Sequence, residues 1–82
     1  MILNLMDLGR AVKAFRLARK LTQVALASKA GVRREQVLAI ERGSNTQLQA
    51  LLNVINALGL GIELKERVSV EYEKLSDIFK DE

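Results

Sequence analysis

The side chains of this chain that can do chemistry are almost all cations and amides. Among its 82 residues there is no cysteine and no histidine. That removes thiolate nucleophiles, zinc–thiolate sites, disulfides and the commonest general base and metal ligand together. The carboxylates are not clustered at a spacing suited to acid–base work, so no catalytic residue, metal or cofactor is expected, and the chain is not read as an enzyme. What remains is recognition of charge. Residues 1–62 hold nine basic side chains (Arg10, Lys13, Arg16, Arg19, Lys20, Lys29, Arg33, Arg34, Arg42) against three acidic ones (Asp7, Glu35, Glu41), a net of +6. Residues 63–82 hold four basic and seven acidic side chains, a net of −3. A basic body calls for a polyanion, and an acidic tail for a different partner. On charge alone, a mixed solvated surface accounts for the same counts.

The elements that must carry these groups are short. With 49% hydrophobic residues there is apolar material for one modest core, and a domain of this size gains from oligomerisation. The start Met1-Ile2-Leu3-Asn4-Leu5-Met6 is apolar but lacks the flank, length and cleavage site of a signal peptide. No run approaches the roughly 20 apolar residues that span a bilayer, so a cytoplasmic, nucleoid-associated location and no membrane contact are expected.

Leu8, Ala11, Val12 and Phe15 recur at helical spacing behind Asp7, which predicts a first helix over about residues 8–19 capped by Asp7. Thr22 can cap a second helix of about eight residues whose inward positions are Leu26, Ala27 and Ala30, with Gly31 ending it. Val37 and Ile40 mark a third helix over about 33–42, closed by Gly43. Thr46 and Gln49 read as a capping box before a fourth helix that presents Leu48, Leu51, Leu52, Val54, Ile55 and Leu58 and stops at Gly59. That apolar face is wider than one small core needs.

Beyond Gly59 the period changes to two: Leu60, Ile62 and Leu64 alternate with Gly61, Glu63 and Lys65. A lone strand in a helical chain has unpaired backbone groups, and the same strand of a second copy is its simplest partner. The expected fold is therefore mainly α: a small helical bundle with a short C-terminal strand pairing across a homodimer. Residues 1–62 form the domain, and 63–82 the strand end and acidic tail. For residues 67–82 two readings stay open, a helix over about 70–80 or a strand prolonged to Tyr72.

The run Leu21-Thr22-Gln23-Val24-Ala25-Leu26-Ala27-Ser28-Lys29-Ala30-Gly31-Val32, followed by Ile40-Glu41-Arg42-Gly43 and closed by Ala57-Leu58-Gly59-Leu60, resembles the Cro and phage-repressor helix-turn-helix family, also called the xenobiotic-response-element family. The resemblance covers roughly residues 8–60. It implies a lambda-repressor-like bundle whose third helix enters the major groove of double-stranded DNA while the second braces it across the backbone. It also implies a dimeric repressor on a palindromic operator. Gln23, at the start of the second helix, is then a phosphate contact aided by exposed N–H groups and the helix dipole.

The family's reading positions fall on Arg33, Arg34, Glu35, Leu38 and Ala39. Arg34 is the base reader, because a guanidinium can take guanine O6 and N7 together. Arg33 stands where the family usually has a small capping hydroxyl, and is assigned to phosphate. Leu38 and Ala39 either meet thymine methyl groups or mark a helix that leans on DNA shape. Arg42, Ser44, Asn45 and Thr46 are placed against phosphate, with a plain capped loop as the alternative. Arg16 and Glu41 stand where similar proteins have a structural salt bridge.

The stretch Ala57–Leu64 looks like the HipB-like antitoxins, in which a strand after the last helix pairs across the dimer. That narrower resemblance implies an antitoxin that represses its own toxin–antitoxin operon and binds a kinase-type toxin. A simple phage-type repressor, or a protein-interaction adaptor on the same fold, stand beside it.

Overall fold

Four helices form in the order α1 (Leu5–Ala18), α2 (Gln23–Ala30), α3 (Arg34–Arg42) and α4 (Leu48–Ala57), and each is stopped in the same way. The coordinates are a computed structural model, which describes residues 1–67. At the end of each helix an N–H reaches the carbonyl five residues back: Leu21 to Arg16, Val32 to Ala27, Ser44 to Ala39 and Leu60 to Ile55, at 2.9–3.1 Å. The residue before each donor is left-handed: Lys20, Gly31, Gly43 and Gly59, with φ of 57°, 70°, 77° and 74°. Glycine fills three of these positions because it lacks the Cβ that makes this region costly.

The starts differ more from the sequence reading. α1 begins at Leu5 and is capped by Asn4, whose side chain accepts from the Asp7 N–H at 2.8 Å. Asp7 is thus a first-turn residue rather than the cap, which places its charge near the positive end of the helix. Thr22 does cap α2, its Oγ1 accepting from the Ala25 N–H at 3.0 Å. The capping box proposed for Thr46 and Gln49 is not formed: Gln47 takes the N-cap position, and Gln49 instead donates to Asn53 Oδ1 at 2.9 Å along the helix surface.

The core is built from one or two residues of every helix: Val12, Leu26, Ala27, Val37, Ile40, Val54 and Leu58, with Leu8, Leu21, Val32 and Leu51 packed around them. Phe15, expected inside, is 42% exposed, and the Arg19 guanidinium lies 5.2 Å from its ring centroid. The inward position on that turn belongs to Arg16, one turn on from Val12. Among the described residues no strand is formed. Leu60 packs on the chain's own core, while Ile62 and Leu64 are exposed. The alternative readings of residues 70–80 lie outside the described residues. No helix among the described residues is long and apolar enough to cross a membrane.

Gly9 sets how close α1 comes to α3. A Cβ there would lie 2.8 Å from the Glu41 carbonyl oxygen, and closer still to that of Ile40. In an open helix, Gly→Ala would stabilise by about 1 kcal/mol through propensity. Here the obstacle is backbone that cannot swing aside, so overpacking wins. Gly9→Ala is expected to destabilise by about 1–3 kcal/mol, read as a lowered urea midpoint. A raised midpoint would mean that α1 does not sit this close.

Candidate nucleic-acid interface

The α2–turn–α3 unit is positioned by burial on one side only. α3 commits Val37 and Ile40 to the core. Arg34, Glu35 and Arg42 are exposed, and Leu38 and Ala39 are half-buried. Arg33, the N-cap of α3, is exposed and offers no side-chain acceptor; only the reverse half of a capping box exists, with the Arg33 N–H donating to Gln36 Oε1 at 2.9 Å. Ser44 and Asn45 are exposed and Thr46 half-buried in the connection to α4. One open surface therefore carries three guanidinium groups and one carboxylate, with Leu38 between them and off the core cluster.

Behind that surface lies a buried ion pair. Arg16 Nε donates to Glu41 Oε2 at 2.7 Å and Nη2 to Oε1 at 3.1 Å, a two-pronged contact between side chains only 9% and 4% exposed. The third nitrogen, Nη1, donates to the Leu21 carbonyl at 2.8 Å. No buried side-chain nitrogen or oxygen among the described residues lacks a partner, so the cost of burying these charges is met by geometry. The pair locks the end of α3 to α1 and to the turn that leads into α2.

Gln23 is half-buried at the first position of α2, and its Nε2 donates to Glu41 Oε1 at 3.3 Å. The structure thus joins Gln23 to the Arg16–Glu41 pair, a connection the sequence reading did not contain. That reading also passed over Val24, which is 61% exposed beside Gln23. Its position was legible, since only Leu26, Ala27 and Ala30 are needed inside. The Gly9 contact is a long-range meeting with no local signal, whereas the Leu21 carbonyl lies only five residues on from Arg16, where the chain turns out of α1. No cluster of three acidic side chains able to hold a metal ion occurs among the described residues.

This arrangement, two short helices joined by a glycine turn with one polar face left open, is that of a helix-turn-helix. The helix-turn-helix family model matches residues 12–65, and the chain belongs to that family. Over 58 residues, 70% of this chain, it is 45% identical to an immunity repressor protein of Bacillus phage phi105, and it spans 40% of that repressor's length. A chain of the HipA–HipB–O2–O3 complex superposes with a TM-score of 0.75 at 27% identity, covering 80% of this chain and 94% of that one. The restriction-modification controller protein C.AhdI from Aeromonas hydrophila superposes with a TM-score of 0.64 at 33% identity, covering 70% of this chain and 88% of that one.

Proposed function

We propose that this chain is a non-enzymatic, DNA-binding transcriptional repressor that acts as a homodimer on a palindromic operator. The observation that carries the reading is the open face of α3, where Arg33, Arg34 and Arg42 stand free of intramolecular polar side-chain contacts among the described residues, while the opposite face is fixed by Val37, Ile40 and the Arg16–Glu41 pair. In this reading residues 1–62 bind DNA. α3 lies in the major groove, with Arg34 on guanine and Glu35, Leu38 and Ala39 beside it. Gln23, Arg33, Arg42, Ser44, Asn45 and Thr46 hold phosphates. The strand period of Leu60, Ile62 and Leu64 supplies the dimer contact, and the exposure of Ile62 and Leu64 suits it. The similarity to a phage immunity repressor and to a restriction-modification controller supports the regulatory role.

The finer reading is an antitoxin of a toxin–antitoxin operon in the cytoplasm, whose acidic residues 67–82 bind a kinase-type toxin. It is supported by the Ala57–Leu64 resemblance and the likeness to a chain of the HipA–HipB complex. Loss of residues 67–82 should then abolish toxin capture while leaving DNA binding intact; unchanged capture would discard the assignment. The apolar Leu38 and Val24 favour a second reading, an adaptor that binds protein through this face.

Titration of the full chain against its selected palindrome at two or more salt concentrations decides between repressor and adaptor. A repressor weakens steeply with salt, and an adaptor shows no binding above that to random DNA. Arg33→Ala is expected to weaken binding to specific and random DNA alike and to lower the log–log salt slope by about 0.9, the effect of one phosphate contact. An unchanged slope would remove Arg33 from the phosphate set.

A further inference from the structure

The Arg16–Glu41 pair does more than join two helices, because a third side chain hangs on it. Glu41 Oε1 accepts both from Arg16 Nη2 at 3.1 Å and from Gln23 Nε2 at 3.3 Å. A carboxylate only accepts, so the Gln23 amide must turn its NH2 group towards Glu41; the flipped amide would set its oxygen against the carboxylate. One Nε2 proton is thereby held inward, and the second is left to donate outwards from the first position of α2. Arg16 fixes the carboxylate itself with two of its nitrogens and ties the entry to α2 down through the Leu21 carbonyl.

We infer that Glu41 is a positioning residue for DNA binding: held by Arg16, it orients the Gln23 amide so that its remaining N–H donates to a backbone phosphate at the start of α2. This inference rests on the repressor reading and adds to it a division of labour. A buried ion pair can often be replaced by apolar side chains of similar volume with little loss of stability, so holding the helices together does not by itself require one. Orienting an amide does, because an apolar pair offers Gln23 no acceptor. The glutamine would then be free among its side-chain rotamers as well as the flipped amide, and few of these aim an N–H at a phosphate.

The test compares Gln23→Ala in two backgrounds of the full chain, the parent and the paired replacement Arg16→Met/Glu41→Leu, with thermal melts recorded for each. In the parent, Gln23→Ala is expected to weaken operator binding about tenfold, the scale of a hydrogen bond to a charged group. In the paired background the same substitution is expected to cost less than about threefold, because the orientation is already lost. An equal cost in two folded backgrounds would overturn the inference. If the paired variant does not fold, the Gln23 side-chain amide is followed by NMR in the DNA-free parent, where the inference expects one Nε2 proton to exchange more slowly than the other, and equal exchange of the two would overturn it. If the parent binds no DNA above background, the repressor reading fails, and the amide signals still decide whether Glu41 orients Gln23.

Discussion

Glu41→Ala is expected to cost about 3–5 kcal/mol of stability, because it leaves the Arg16 guanidinium buried without a counter-charge. For a domain of this size that corresponds to a fall in Tm of at least about 12 °C, and it is a large share of the roughly 5–15 kcal/mol that holds a small domain folded. The matched control is Arg10→Ala. Arg10 lies 3.9 Å from Asp7 with side chains 74% and 45% exposed, so that pair is screened by water and contributes at most about 1 kcal/mol. Urea denaturation of both variants checks the contrast. Similar small losses would mean that Arg16 reaches solvent once Glu41 is gone, and that the pair is not sealed.

Arg34→Ala is expected to weaken binding to the selected operator by about 5- to 150-fold, the range for losing a bidentate contact to guanine. Random DNA should be affected far less, since only one cation is removed from a surface that keeps Arg33 and Arg42. Parallel titrations against operator and random duplex measure the two effects. The ratio of the two affinities is the deciding quantity: if it is unchanged, Arg34 is a phosphate contact and the base reading lies elsewhere on α3.

The parts of this fold legible in the sequence are those with a local cause. Thr22 caps α2, and Gly31, Gly43 and Gly59 stop their helices, because a hydroxyl before a helix and a glycine after one act within a single turn. The inward positions of α3 followed from Val37 and Ile40, and the outward ones by elimination. Arg16 and Glu41 could be matched only through family resemblance, since 25 residues separate them. Two expected caps, Asp7 and the Thr46–Gln49 box, are not formed because a competing local contact wins. Asn4 and Asp7 are both good caps, and Asn4 takes the role by binding the Asp7 amide. Gln49 faces Asn53 four residues on, which draws it away from a capping box. Phe15 carries the hydrophobicity expected of a core residue, yet the turn of α1 that faces α3 brings Arg16 inward, with Gly9 allowing the close approach that no spacing rule announces. The alternation at Leu60, Ile62 and Leu64 forms no strand among the described residues, where Leu60 packs on the core and Ile62 and Leu64 are exposed.

The one-sided mounting of α3 has a consequence for how this domain can change. Its anchors are Val37, Ile40 and Glu41, whereas Arg34 and Glu35 make no internal polar side-chain contact among the described residues and Leu38 stands off the core cluster. Substitutions at exposed positions such as Arg34 and Glu35 usually alter stability by no more than about 0.5 kcal/mol. In the repressor reading, the helix is therefore an interchangeable reading head on a fixed mount, and new operators could be acquired by rewriting positions 34 and 35 without renegotiating the fold.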